Sequence, residues 1–239
     1  MKLSLRAITL ILLLLAAAGT ASADVITLTL NNGGSNVMGG VYVGPYNFTQ
    51  TVNGQNTSLQ LICDDFQDSV TPGEYWNVKL STFPSLTNTQ FGAGNLTGYL
   101  EIAWLVQQMF KPGNTNETIG QIQWAIWDVF DSPGGNAISN HDPYGTISAA
   151  DQCAINGLVY NGTTTTSCGN PNNWLQMAIS NASGVNTAGI TIYTPVSGSQ
   201  VPVGDGPPQE YFGVPEPGTL LLLGAGLFSL VGFRRRLSY

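Results

Sequence analysis

Short apolar and β-branched runs alternate with Asn, Gly, Thr and Ser through the middle of the chain. Runs such as residues 25–30 and 189–193 are bounded by turn-forming residues, which is typical of β-strands. In residues 59–64, the two-residue period of a strand places Leu59, Leu61 and Cys63 on one face, which we expect to point inward. The pattern predicts a mixed fold that is mostly β, either a sandwich or barrel-like.

Two segments follow the helical period instead. Residues 98–110 carry one apolar stripe, formed by Ile102, Leu105, Val106 and Met109. Residues 117–130 carry a second stripe, formed by Ile119, Ile122, Ile126 and Phe130. The turn-forming Pro133-Gly134-Gly135 ends the second helix. We therefore expect an α-helical hairpin inserted into the β-rich domain.

A glutamine interrupts the apolar stripe of the second predicted helix. Gln123 falls inside the stripe, whereas Gln121 and Asp128 lie on the opposite side. A glutamine that faces a core must be hydrogen-bonded or chemically consumed, because an unpaired buried amide costs about 2 kcal/mol or more. Cys63 and Gln123 are both expected to face inward, and they form a candidate pair.

The first 23 residues have the three parts of a secretory signal peptide. Lys2 and Arg6 come first, an apolar run follows over residues 8–18, and Ala21-Ser22-Ala23 forms a small-residue cleavage site. Cleavage after Ala23 would begin the exported body at residue 24. The alternative is an anchor helix that is not cleaved.

The C-terminal residues 214–239 form a second segment distinct from the body. An apolar run over residues 220–233 lies between two short motifs, Pro215-Glu216-Pro217 and the cluster of Arg234, Arg235 and Arg236. The run is shorter than the roughly 20 apolar residues of a spanning helix, but the arginines would hold it on the cytoplasmic side of a membrane. We predict a hydrophobic C-terminal helix that associates with the membrane.

These boundaries divide the chain into four parts. The signal peptide occupies residues 1–23 and the β-rich body residues 24–193. Residues 194–213 are rich in Pro, Gly, Ser and Gln and are predicted to form a flexible linker. The tail occupies residues 214–239.

The tail closely resembles the PEP-CTERM sorting signal of Gram-negative bacteria. Its Pro-Glu-Pro motif, hydrophobic stretch and arginine cluster match all three parts of that signal. The resemblance implies recognition and processing by an exosortase near the Pro-Glu-Pro motif, in a bacterium that makes exopolysaccharide. The expected location is outside the cytoplasm, either tethered to the inner membrane or released to the cell surface or matrix.

The charge distribution excludes one class of partner. Only 9% of the 239 residues are charged, against about 25% in an average soluble protein. Residues 24–213 hold two lysines, Lys79 and Lys111, against 13 acidic residues, a net charge of −11. We expect no nucleic-acid partner, because neutralising phosphates requires clustered Lys and Arg.

The three cysteines cannot all pair within the chain. Cys153 and Cys168 lie 15 positions apart on either side of a polar loop, and we predict a disulfide between them. On the chain-entropy model this crosslink contributes about 3 kcal/mol. Cys63 is left over, and an odd cysteine in an exported chain calls for an explanation.

A second resemblance concerns this cysteine. Leu61-Ile62-Cys63-Asp64, followed by Gln121-Ile122-Gln123-Trp124-Ala125-Ile126-Trp127, resembles the thioester (TQXA) domain of bacterial surface adhesins. The resemblance implies that Cys63 condenses with Gln123 to form an internal thioester, with Ala125 as the alanine of the motif. Asp64, Trp124 and Trp127 would surround the bond, and Tyr99 would help to shield it. The alternatives are a buried free thiol beside a hydrogen-bonded glutamine, and pairing of Cys63 with another chain.

Other reactive side chains form weaker patterns. His141 could serve Cys63 as the base of a cysteine hydrolase, and Asp128 with Asp131 could form a glycosidase pair. Asp64, Asp65, Asp68 and Glu74 offer oxygen ligands for calcium, but their spacing departs from the known calcium loop, which favours a solvated acidic loop. We predict no metal, no cofactor and no enzymatic activity.

The sequence therefore supports one main hypothesis and two alternatives. The main hypothesis is adhesion or matrix association at the cell envelope, through transfer of the Gln123 acyl group to surface amines or hydroxyls of a target. The first alternative is a non-covalent structural or polysaccharide-binding protein that contacts exopolysaccharide. The second is a hydrolase that uses Cys63 or the carboxylates.

Overall fold

The computed structural model describes residues 25–130, 147–161, 164–202 and 207–214. The strands in these ranges are, in chain order, β1 Ile26–Asn32, β2 Val37–Met38, β3 Val41–Tyr42, β4 Tyr46–Val52, β5 Gln55–Cys63, β6 Tyr75–Thr82, β7 Leu158–Asn161, β8 Thr164–Ser167, β9 Thr191–Pro195 and β10 Tyr211–Gly213. The helices there are α1 Leu96–Met109, α2 Asn116–Phe130, α3 Ala149–Asn156 and α4 Trp174–Asn181.

Six antiparallel strands close into a barrel in the order β1-β4-β5-β10-β9-β6. Alternate side chains point inward, as the two-residue period of a strand requires. They include the fully buried Leu28, Phe48, Leu61, Trp76 and Tyr211. The predictions of a mostly β fold and of strands near residues 25–30 and 189–193 are confirmed.

The helices lie between β6 and β9 in the chain, so they form an insertion in the barrel. The predicted hairpin is confirmed as α1 and α2, and the four stripe residues of α1 are buried. The shorter helices α3 and α4 pack against this pair. The sequence pattern did not predict them, because each is only eight residues long and carries one fully buried side chain.

Part of the predicted linker belongs to the barrel, which corrects the boundary at residue 193. Thr194 lies in β9, and Val201 pairs with Tyr75 of β6. The strand β10 is buried along its whole length between β5 and β9. The body therefore extends to residue 214. Composition misled the prediction because a three-residue strand leaves almost no periodic signal.

The predicted disulfide is confirmed. Cys153 of α3 and Cys168, directly after β8, are bonded with a Cα–Cα distance of 5.9 Å. The bond ties the β7–β8 hairpin to the helix that precedes it.

Several predicted features lie outside the described residues. They are the signal peptide, the sorting motif from Pro215 to Arg236, and the segment 131–146 with Asp131 and His141. Within the described ranges, no helix combines the length and the apolar character needed to cross a membrane.

Candidate functional site

Cys63 is the last residue of β5, and the barrel fixes its position. It pairs with Tyr211 of β10 and is fully buried. Its thiol donates a hydrogen bond to the main-chain oxygen of Asp65, with 3.0 Å between sulfur and oxygen. The predicted inward orientation is confirmed, and its burial argues against pairing with a cysteine of another chain.

Helix α2 places Gln123 directly against the end of β5. The Gln123 side chain is fully buried, and its Nε2 donates to the main-chain oxygen of Cys63 at 2.7 Å. Its Oε1 is buried without a hydrogen-bond partner. The close approach also depends on Gly44, because a Cβ atom there would lie 2.9 Å from Oε1. The fold therefore brings together the two residues that the sequence pairs.

Aromatic rings surround this contact. Trp124 and Trp127 are 0% and 3% exposed, and both pack against Phe66 with ring centroids 5.3 and 5.0 Å apart. Trp127 lies one helical turn after Gln123 and near the Cys63 thiol. Ala125, which lies between these tryptophans in the sequence, is also fully buried. Cys63 and Gln123 are themselves closed to solvent, because both are fully buried.

The surroundings keep the thiol protonated. Burial raises the pKa of Cys63 well above its usual value, and the charges of Asp65 and Asp64 raise it further. The hydrogen bond to Asp65 and the Trp127 indole act in the opposite direction. Because the thiolate is the reactive nucleophile, any reaction at this sulfur requires a step that removes its proton.

A buried carboxyl pair lies beside the thiol. Asp64 and Glu210 are 1% and 0% exposed, and their carboxyl groups interact. Burial raises the pKa of Asp64 well above its usual value, and the charge of Glu210 raises it further. Glu210 accepts hydrogen bonds from the Tyr99 hydroxyl at 2.6 Å, the main-chain N–H of Gln90 at 2.8 Å and the hydroxyl of Thr194.

The sequence predicts that Tyr99 helps to shield the Cys63–Gln123 pair, and in the structure its hydroxyl donates to the buried carboxyl group of Glu210. Glu210 itself was missed, because it lies in the segment predicted to be a linker and no periodicity marks it. The role of Glu210 as a buried acceptor follows from the fold, which places it directly before β10.

The expectation of a solvated acidic loop is also wrong. Asp65 and Glu74 are 2% and 5% exposed, and Gln90 donates to Asp65 at 2.6 Å and to Asp68 at 3.2 Å. Burial and the neighbouring Asp65 raise the pKa of Asp68 to about 7. Among the residues that the structure describes, no group of three or more His, Cys, Asp or Glu could hold a metal ion.

The helical projection predicts an exposed position for Asp128, and the structure shows that this prediction is wrong. It is 9% exposed, and its Oδ2 accepts a hydrogen bond from Asn156 of α3 at 2.8 Å. The short helix α3 covers that side of α2. Asp128 therefore contributes to helix packing, and its suggested partner Asp131 lies outside the described residues.

Comparisons with known proteins identify the tail. A family model described as the PEP-CTERM protein-sorting motif matches residues 213–236. This match confirms the first resemblance and indicates an exported protein that an exosortase sorts. No curated protein and no solved structure matches the chain at a significant level. The motif begins at Gly213, the last residue of the barrel strand β10.

Proposed function

We propose that the exported body is a covalent attachment module for the cell envelope. In this role Cys63 is the thiol donor and Gln123 the acyl donor of an internal thioester, and a target amine or hydroxyl accepts the acyl group. The exosortase signal delivers the module to the cell surface or matrix.

The observation that carries this proposal is the contact between Gln123 and Cys63. Both residues are fully buried, and the amide nitrogen of Gln123 lies 2.7 Å from the main-chain oxygen of Cys63. The amide oxygen has no partner there. A buried amide retained for stability would be satisfied at both ends, because an unpaired acceptor costs about 1–3 kcal/mol.

The chemistry needs no cofactor. The Cys63 sulfur attacks Cδ of Gln123, the Cδ–Nε2 bond breaks, and ammonia leaves with the thiol proton. A target amine then attacks Cδ, the sulfur leaves and takes up a proton from the amine, and an amide joins the target to Gln123. The aromatic rings around the pair would slow hydrolysis of the thioester until a target arrives.

Intact mass of the exported protein tests the proposal. After reduction of the Cys153–Cys168 bond, we expect the measured mass of the chain to be lower than the mass calculated from its sequence by one ammonia. Treatment with methylamine would add one methylamine to that species and expose one titratable thiol.

Variants make the test specific. Cys63→Ala and Gln123→Ala should show the full sequence mass and take up no methylamine. Gln121→Ala is the matched control, because Gln121 lies two residues away and bonds to Asp151 instead of the thiol site, so it should keep the ammonia deficit. A full mass and a free thiol at Cys63 in the unaltered protein would refute the proposal.

A further inference from the structure

The outer surface of the barrel carries rows of uncharged polar side chains. The first row crosses four strands in register and consists of Asn77, Thr27, Thr51 and Asn56. Within it the Thr27 hydroxyl donates to Asn77 Oδ1 at 3.0 Å, and the Thr51 hydroxyl donates to Asn56 Oδ1 at 2.8 Å. The row is therefore held by bonds between its own members.

Two more rows run beside the first. The second consists of Tyr75, Thr29, Thr49 and Ser58, and Asn31 of β1 donates to the Thr49 hydroxyl at 3.1 Å. In the third, Gln60 donates to Asn47 Oδ1 at 3.2 Å, and Asn47 donates to Asn32 Oδ1 at 2.7 Å. We call these three rows, together with Asn31, the polar rows.

We propose that the polar rows bind a neutral polysaccharide chain. The hydroxyls and amides that are bonded within the rows use only part of their hydrogen-bonding capacity on a neighbour, which leaves donors and acceptors directed to solvent. Neighbouring strands space these groups by about 4.8 Å, and alternate residues along a strand by about 7 Å. A polymer that presents hydroxyl groups at regular intervals can engage several of them at once.

The bonds within the rows lower the cost of binding. Side chains that are already held in one conformation lose less entropy when a ligand engages them. Tyr75 is 43% exposed at one end of the second row and offers a ring on which a sugar can stack. Its hydroxyl adds a hydrogen-bonding group next to an apolar surface.

Charge decides among the possible partners. No member of the polar rows is charged, and residues 24–213 carry a net charge of −11. Nucleic acids and acidic polysaccharides would be repelled by this net charge, and the rows themselves offer them no cation to pair with. A second copy of the chain is also disfavoured, because the centres of protein interfaces are apolar and aromatic, and the only large ring in the rows is Tyr75.

This inference does not depend on the thioester, and the experiment separates the two. The exported protein carrying Cys63→Ala, which cannot form a thioester, is run on native gels that contain dextran, laminarin or yeast mannan. We expect retardation by at least one of these neutral polymers. Alginate serves as the acidic comparison and should cause none.

Two variants locate the binding surface. Thr29→Val with Thr49→Val removes two central hydroxyls while keeping the β-branched shape, and we expect the dissociation constant to rise about tenfold. Thr165→Val with Thr166→Val is the matched control on the exposed strand β8, and it should bind as the parent does. Circular dichroism of each variant checks that the fold is kept.

Four results would overturn the inference. They are no retardation by any of the neutral polymers, equal retardation of the row variant and the control, salt-sensitive retardation by alginate, and a dimer in sedimentation that the row variant abolishes.

Discussion

The two ends of strand β5 differ sharply in burial. Residues 55–58 are exposed and bear side chains of the polar rows, whereas Leu61, Ile62 and Cys63 are fully buried. The difference arises from what lies against each end. Helix α2 and strand β10 pack against the second half, and nothing in the described structure packs against the outer face of the first.

This difference determines how each half can function. The polar groups at the buried end lie in a low local dielectric, so each unsatisfied atom is costly, and burial raises the pKa values of Cys63, Asp64 and Glu210. The polar groups at the exposed end exchange bonds with water, so individual losses cost little. Chemistry therefore suits the buried end, and reversible binding suits the exposed end.

The largest expected effect is at Glu210. Glu210→Ala would leave the Tyr99 hydroxyl, the Gln90 N–H and the Thr194 hydroxyl without their acceptor and would free β10 from its anchor. We expect the free energy of unfolding to fall by about 3 kcal/mol, measured by urea denaturation. Ser58→Ala at the exposed end of β5 should cost less than about 0.5 kcal/mol. Equal costs would contradict the contrast between the two ends.

A smaller effect concerns pH. The pKa values of Asp64, Glu210 and Asp68 are raised in the folded protein, chiefly by burial. The folded state therefore holds more protons than the unfolded state, so stability is greatest at low pH and falls as pH rises. For Asp68 this loss of stability runs from about pH 3.8, the ordinary pKa of an aspartate, to about pH 7.

The measurement is the urea midpoint at pH 5 and at pH 7.5. We expect a lower midpoint at pH 7.5, and a smaller difference in Asp68→Asn. Burial acts to raise the pKa of Glu74, but the hydrogen bonds that it accepts from Thr71 and Gln200 lower the pKa overall, so Glu74 stays ionised at both pH values and does not affect the comparison. A midpoint that rises with pH, or an Asp68→Asn variant with the parent's full difference, would contradict the expectation.

The smallest effect is expected at Gln123. In a Cys63→Ala background, Gln123→Met leaves the main-chain oxygen of residue 63 without its Gln123 donor but also removes the unpartnered Oε1. These two effects oppose each other, so the free energy of unfolding should change by less than about 0.5 kcal/mol. Gln121→Met should cost about 1 kcal/mol, because Gln121 bonds to Asp151 and Trp174 at its two ends. Thermal melts compare the two variants. If Gln123→Met destabilises the protein more than Gln121→Met does, Gln123 is retained for stability, which would contradict the proposed role in a thioester.

Pattern and spacing predicted much of this molecule. The two-residue period placed Cys63 inward, and the helical stripe placed Gln123 inward, because burial of an amphipathic element follows from its periodicity. The 15-residue spacing of Cys153 and Cys168 predicted their bond, and the Pro-Glu-Pro tail predicted the sorting motif. Each of these signals is local in the sequence, so it can be recognised without a fold.

Only the tertiary structure decided the rest. Strand β10, with Glu210 directly before it, joins the barrel because β5 and β9 leave room for one strand between them. The three residues of β10 are too few to show a period in the sequence. Asp128 is buried because α3, a helix too short to predict, packs over it. The polar rows exist because the register of four strands aligns residues up to 50 positions apart, such as Thr27 and Asn77. The sequence by itself determined which faces are apolar, and long-range pairing determined which polar groups meet.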